Sequence, residues 1–424
     1  MTQPANTPHA SAEEIKTLRE LARRKAEILA TPLVAERIRL WKKHNALLQE
    51  RPMLLVYPEG GWADLVAADK SLQCRCSDPL LRGIEGNIRM EIYKFEHFDV
   101  DDVPTSYTHV PKAISDSGWG IEARWEKSEM ERGAKRFDPV ITDESDLDKM
   151  HFPKVSHDED LSWRRYEAVC EIFDGILPVK LAGINHHSFH LLNQWTALRG
   201  LEEVLMDMVA EPEFTHRAIS FLAEGNHRLV EQYEQMGLLE FNHDNTYHSS
   251  GGNGWLENCP GPKPVPGQPA TRARMWSSAE AQELTAVSRE MHEEFALRYE
   301  KKLLEPFALA GYGCCEDITA KCDLVLSIPN IRRISISPFT NDALAAPRIG
   351  NRAIFSWKPR PTDLVGTFNP ERIRAYLREN IAWCRGAGCN FEVILKDTHS
   401  CEGHPERFDQ WSRIARDELN RLGD

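Results

Sequence analysis

The stretch GYGCCEDI, residues 311–318, sets Cys314 and Cys315 side by side and follows them at once with Glu316 and Asp317. Thiols and carboxylates in that density allow three chemistries: a metal site, a reactive thiol, or a buried pair that only packs. A second stretch, KDTHSCEGH at 396–404, delivers Cys401 with His399 and His404 close by. Zinc takes thiolate, imidazole and carboxylate ligands, and a catalytic zinc keeps one position open for substrate. Cys314 and Cys401, with one imidazole or carboxylate, would make such a site if the fold brought them to one rim. Cys322, Cys384 and Cys389 fall in or near helices and read as packing residues, and Cys74 and Cys76 as structural ones.

Histidines gather in two further places. NHHSFH at 185–190 holds Asn185, His186 and His187, and FNHDNTYH at 241–248 holds His243, Asp244 and His248. A histidine after a strand is more often hydrogen-bonded structure than a ligand; its functional reading is a general base or a substrate hydrogen-bonder. Asp244 could take a proton, orient a neighbouring histidine or bind a substrate cation. The chain has no GxGxxG, Walker A, GxSxG or HExxH motif. That argues against dinucleotide-binding, P-loop, α/β-hydrolase and HExxH metalloprotease sites.

These groups need elements to position them. Helical spacing and start signals predict helices over 11–30, 32–50, 78–98 and 161–173, then over 189–210 and 212–237. Beyond 277 the pattern predicts alternation: helix 278–302, strand 303–310, helix 316–327, strand 331–338, helix 341–348, strand 353–359, helix 369–388, strand 390–398 and helix 405–419. Earlier strands are expected at 52–61, 175–184 and 238–241, and 99–157 gives mixed signals. Repeated β-then-α units imply a parallel sheet with helices outside. The expected fold is a (β/α)8 TIM-type barrel over 51–424 behind an N-terminal helical extension, 1–50, whose first ten residues look disordered; an open doubly wound sheet is the alternative. In such barrels chemistry sits at the carboxyl ends of the strands. Those ends offer Glu59, Asn185, His186, His187, His243, Asp244, His248, Tyr312, Cys314, Glu316, Lys358, Arg360, Lys396 and His399. The Gly- and Pro-rich segment 246–274 reads as a binding loop or lid, or else as a solvated linker.

The 424 residues, 41% of them apolar, can bury a sizeable core. A net charge of −13 argues against nucleic acid and against an anionic membrane surface. The polar N-terminus lacks a signal-peptide h-region, and no apolar run is long enough to span a bilayer. Ten cysteines in this length are no disulfide scaffold, so reduced thiols and a cytoplasmic location are expected.

The order of these features resembles the uroporphyrinogen decarboxylase superfamily. Residues 192–224 (LNQWTALRGLEEVLMDMVAEPEFTHRAISFLAE), 303–341 (LLEPFALAGYGCCEDITAKCDLVLSIPNIRRISISPFTN) and 352–381 (RAIFSWKPRPTDLVGTFNPERIRAYLRENI) are similar to its segments, and the resemblance covers about 50 to 420. The Arg-containing loop of true decarboxylases is replaced here by LVYPEGGWADL. The resemblance therefore points to the superfamily's cobalamin-dependent methyltransferase branch, with its His-x-Cys…Cys zinc site. Carried over, the two cysteines fall on Cys314 and Cys401, and the histidine position falls on Tyr312; a third ligand would then come from His248, Glu316 or His399. The resemblance implies a zinc-dependent methyltransferase moving a methyl group between a small substrate, or a thiol or folate acceptor, and cobalamin on a separate corrinoid protein. Asp244, His186 and Tyr312 are its expected catalytic residues; His187, His243, Asn185, Arg360 and Glu59 are expected to bind substrate. A metal-independent decarboxylase or lyase on a small acid is the alternative, a non-catalytic barrel the third reading, and a homo-oligomer stays open.

Overall fold

The structure is a computed structural model that describes residues 7–126, 136–248, 250–262 and 268–421. Nine strands carry the argument: β1 (Met53–Val56), β2 (Thr108–Pro111), β3 (Val179–Ala182), β4 (Ser188–Phe189), β5 (Trp276–Ala279), β6 (Leu309–Tyr312), β7 (Ile331–Ile336), β8 (Ile354–Trp357) and β9 (Asn390–Leu395). Seven of them form one parallel sheet in the order β1-β9-β8-β7-β6-β5-β4. Leu54 lies opposite Val393, Phe355 opposite Phe391, and Ile334 opposite Phe355. β2 and β3 form a separate parallel pair.

The expected parallel α/β architecture is present. The ring of strand pairing that would close a barrel is not completed among the described residues. One gap, between 238–242 and β5, is spanned by a side chain. The Asn242 amide donates to the carbonyls of Asn185 (2.8 Å) and Trp276 (3.0 Å), and its oxygen accepts from Trp276 N at 3.0 Å. The Leu238–Glu240 segment itself pairs with Ile184 through two backbone hydrogen bonds.

Side-chain alternation along the strands separates two environments. Ile334, Ile336, Phe355, Trp357, Phe391, Val393 and Leu395 belong to the large apolar cluster shared with the outer helices. The alternate residues carry polarity to the other face: Arg333 Nε donates to Glu392 Oε1 at 2.9 Å, and Ser356 Oγ donates to the same oxygen at 2.5 Å. Met53, Leu55 and Ile394 line that face too, packed against Trp41 and Val34.

The N-terminal segment folds as helix α1 (Ala12–Leu29), with a Ser11/Glu14 capping box, and helix α2 (Pro32–Asn45), with proline at its start. Pro8 is buried and Ala10 packs against an apolar cluster, so residues 7–10 are placed rather than disordered; 1–6 lie outside the described residues. α2 reaches the polar network: His44 Nε2 is 3.0 Å from Glu392 Oε2, and Asn45 Oδ1 accepts from Arg333 Nη2 at 2.8 Å.

Several boundaries differ from expectation. The segment 303–304 ends a helix, so that strand is shorter and later (309–312). The expected helix 278–302 opens instead with β5, and its helical part runs 289–304 with a π-turn at Glu293–Leu297. Helix 316–327 contracts to Cys322–Val325, and Gly200 (φ 93°) divides 189–210 into two helices. Part of the 246–274 segment, 249 and 263–267, lies outside the described residues. No helix among the described residues is long and apolar enough to cross a membrane.

Candidate functional site

The carboxyl ends of β4 to β9 open onto one edge of the sheet, and the residues just beyond them build a polar mouth. β6 ends at Tyr312; Gly313 (φ 95°) then turns the chain, in a conformation that L side chains rarely adopt. The turn places Cys314 N within 2.7 Å of Glu316 Oε2, and Glu316 Oε1 accepts from Ala281 N at 3.3 Å. Ser337, beyond β7, donates to the Glu316 carbonyl at 2.9 Å. The CCED stretch is thus pinned by the neighbours of its own strand.

The Cys314 thiol is held in contacts that favour its ionised form. Ser250 Oγ donates to its Sγ at 3.4 Å, and Lys396 Nζ donates to Ser250 Oγ at 2.9 Å, forming a relay from ammonium to thiol. The Cys315 sulfur lies 3.6 Å away. The Cys315 contact lowers the Cys314 pKa, burial opposes it, and Lys396 and Ser250 add to the lowering, bringing it to about 6. Cys315 moves the other way and stays a thiol. Lys396 is held protonated: burial disfavours its charge, but Tyr247, Cys314, Asp397 and Glu59 outweigh that.

Acids and a histidine complete the wall. His190 Nδ1 lies 2.6 Å from Glu280 Oε1; burial would lower its pKa, yet the Glu280 contact raises it. Burial, then Glu280, pushes the Glu316 carboxyl up to about 7. Lys358 donates to the Ser356 carbonyl at 2.9 Å and to its hydroxyl at 2.6 Å, and burial brings its amine down to about 7. The loop after Asp244 folds over the inner face: a Cβ on Gly252 would meet Arg333 Cζ at 2.7 Å.

The residues singled out from sequence divide between this mouth and other places. Cys314 and Glu316 are in it. Glu59, at the rim, accepts from Asp397 N at 2.8 Å, and His399 is exposed on the same loop. His186 Nδ1 lies 3.0 Å from the Tyr247 carbonyl. Asp244 accepts from Thr246 N (2.9 Å) and from the Tyr107 hydroxyl (2.7 Å), and Asn185 Nδ2 lies 3.4 Å from Thr246 Oγ1. His248 is buried, stacked on Trp276 and bonded to the Asn242 carbonyl at 2.9 Å; burial drives its pKa well down, so it stays neutral. His243 bonds the Arg274 carbonyl, and buried His187 packs on Phe307. Tyr312 points to the helix layer, where its hydroxyl donates to Glu300 at 2.8 Å and lies 2.8 Å from His292. Arg360 sits over the Tyr376 ring, 3.8 Å from its centroid.

Cys401 also follows a strand end, but it turns to another partner. Its N donates to Asp64 Oδ2 at 2.8 Å, and burial, then Asp64, raises its thiol to about 11. Among the described residues no three His, Cys, Asp or Glu side chains form a group able to hold a metal ion. The expected set of Cys314, Cys401, His248, Glu316 and His399 is not assembled, and the arrangement does not fit the zinc ion that the resemblance implies.

Ser250, Tyr247, Glu280 and His190 were not singled out from sequence. Reading WSSA at 276–279 as a strand would have placed Glu280 one residue past its end. Ser250 carries no local signal, because only the folding of its loop over the sheet brings it to Cys314.

No protein-family model matches the chain, and no curated protein matches it. Among solved structures it is similar to a methyltransferase from Methanosarcina mazei, at 9% sequence identity and a TM-score of 0.48, over 91% of this chain and 98% of that one. At that identity and score the likeness speaks to neither substrate nor mechanism.

Proposed function

We propose that the mouth is a catalytic centre for methyl transfer, with the Cys314 thiolate as the group that meets the methyl carbon. The observation that carries this is the relay Lys396–Ser250–Cys314 at the strand ends, with its thiol at about 6. The sequence resemblance across 50–420 supplies the reaction class. A thiolate is the nucleophilic form of cysteine, and the contacts of Cys314 favour that form.

The thiolate offers an electron pair to the methyl carbon of a small donor. The S–CH3 bond forms as the bond from that carbon to its oxygen or nitrogen breaks. The leaving atom keeps the pair and is protonated from His190 or solvent. A second nucleophile then displaces the methyl group and returns the thiolate. Lys396, through Ser250, stabilises the sulfur anion at the start and end of the cycle. Glu316 fixes the backbone that aims Cys314, and Glu280, 2.6 Å from His190 Nδ1, favours the protonated imidazole. The corrinoid protein that would carry the methyl group rests on the resemblance, and the cytoplasmic location on the cysteine usage and composition of the chain.

The test is methyl transfer from a small methyl ether, anisole, to a small thiol, measured with chelator-treated protein. The wild type should turn over without added zinc, and Cys314→Ser should lose about 10²-fold or more, the scale on which nucleophile activation matters. Turnover that needs zinc, or an unimpaired Cys314→Ser, would overturn the reading. A metal-independent lyase is the second reading, favoured by one observation: buried Lys358, with its pKa near 7, could act as a base or bind a carboxylate beside Lys396. Carbon dioxide release from a small acid, lost in Lys358→Met and kept in Cys314→Ser, would favour it.

A further inference from the structure

Cys315 takes no step in the chemistry proposed for the mouth, yet it shares the mouth with Cys314. Neighbouring side chains of an extended strand point to opposite faces. Here the chain leaves β6, passes Gly313 (φ 95°) and bends at both cysteines, and their Sγ atoms meet at 3.6 Å. Both residues are partly exposed, whereas Cys76, Cys322, Cys384, Cys389 and Cys401 are buried. A small oxidant can therefore reach this pair from the mouth.

The two sulfurs are also unequal. The Cys315 contact, Lys396 and Ser250 favour the Cys314 thiolate, while the Cys314 contact and burial keep Cys315 a thiol. A thiolate attacks an oxidant, and a thiol in contact with it can resolve the product.

We propose that Cys314 and Cys315 form a reversible oxidation site that a hydroperoxide converts to a disulfide between the two neighbours. The Cys314 thiolate attacks the terminal peroxide oxygen. An S–O bond forms and the O–O bond breaks; the leaving oxygen keeps the electron pair and takes a proton from solvent. The products are a sulfenic acid on Cys314 and an alcohol, or water where the oxidant is hydrogen peroxide. The Cys315 thiol then gives up its proton as its sulfur attacks that of Cys314. The S–S bond forms, the S–O bond breaks, and hydroxide leaves with that proton as water. The two sulfurs lose two electrons and the peroxide gains them.

The ring so closed is strained. The Cα atoms of adjacent residues are about 3.8 Å apart, below the roughly 4.4–6.8 Å usual across a disulfide. The backbone is also held on both sides of Cys314: its N donates to Glu316 Oε2 at 2.7 Å, and its carbonyl accepts from Ser335 Oγ at 3.4 Å. Closure pulls against these bonds, and strained disulfides are the readily reduced ones, so a dithiol reopens the site. The regulatory meaning rests on the methyl-transfer reading: the disulfide removes the nucleophile and stops turnover until it is reduced. The bond itself is read by mass without turnover, so the two fail separately.

The experiment treats the reduced full chain with hydrogen peroxide, alkylates the remaining thiols, and maps the cysteine peptides by mass spectrometry without reductant. The peptide holding Cys314 and Cys315 should be unalkylated and lighter by two hydrogen atoms, and dithiothreitol should restore both thiols. In Cys315→Ser, or in Cys315→Ala should that variant fail to fold, the resolving sulfur is gone. Dimedone should then trap the Cys314 sulfenic acid about tenfold or more above the wild type. A link from Cys314 to a different cysteine, oxidation of Cys314 past the sulfenic acid with Cys315 still alkylated, no oxidation at either residue, or equal dimedone trapping in wild type and variant would overturn the proposal.

Discussion

The account turns on one sulfur atom. Cys314 and Cys315 are neighbours in sequence with opposite fates: one is driven towards the thiolate, the other held as a thiol. Sequence offered both equally, since the partner that Cys314 has and Cys315 lacks, Ser250, comes from a loop far away in the chain. The sign of the shift gives a testable profile. Cys314's contacts hold its pKa below the usual range of a cysteine thiol, so the thiolate forms as pH rises through about 6. Alkylation of the Cys314 peptide by iodoacetamide, followed by mass spectrometry, should therefore rise with pH around that midpoint. Lys396→Met removes a cation that favours the thiolate and should move the midpoint upward. A midpoint unchanged by Lys396→Met would remove Lys396 from the relay. His248 and His187 show the opposite outcome for residues chosen by type: both are buried and neutral, and His248 is tied to a backbone carbonyl, so they fill the interior rather than the mouth.

Elements were legible where periodicity was long and obscure where it was short. α1, α3 (Pro79–His97) and the helix Pro370–Gly386 lie within two residues of their expected bounds, because each repeats an apolar face over three turns or more and carries a cap or an early proline, while α2 starts as expected but ends at Asn45, five residues early. β5 was missed because WSSA is four residues with serines facing both ways, and acids and Ala281 follow it at helix-like spacing. The polar inner face of β7 to β9 was equally hidden. Arg333, Ser356 and Glu392 alternate with apolar residues as in a solvent-facing strand, yet Arg333 and Glu392 are fully buried. Burial would raise the Glu392 carboxyl, but Arg333, His44 and Lys358 hold it well below the usual range. Removing Arg333 leaves the buried Glu392 carboxylate without its largest compensating charge. Arg333→Met should thus cost about 3–5 kcal/mol in urea unfolding, while Arg333→Met with Glu392→Met should recover most of that loss. If the double variant is as unstable as the single one, the ion pair itself contributes the stability.

At the scale of the molecule, the parallel sheet gathers loops from across the chain at one edge, which is why ligating residues cluster there whatever their use. That clustering made a zinc site look natural in sequence. The fold separates its members: Cys401 faces Asp64, Tyr312 faces the helix layer, and only Cys314 and Glu316 of the expected set stand together in the mouth. The central claim is that Cys314 receives the methyl group. It is tested most directly by incubating chelator-treated protein with an isotopically labelled small methyl donor, anisole labelled in its methyl group, quenching, and locating the label by peptide mass spectrometry. The account predicts one labelled methyl on the peptide holding Cys314, lost in Cys314→Ser and diminished below pH 6 as the thiol protonates. Label on another residue, or turnover with Cys314 never labelled and dispensable, would contradict it.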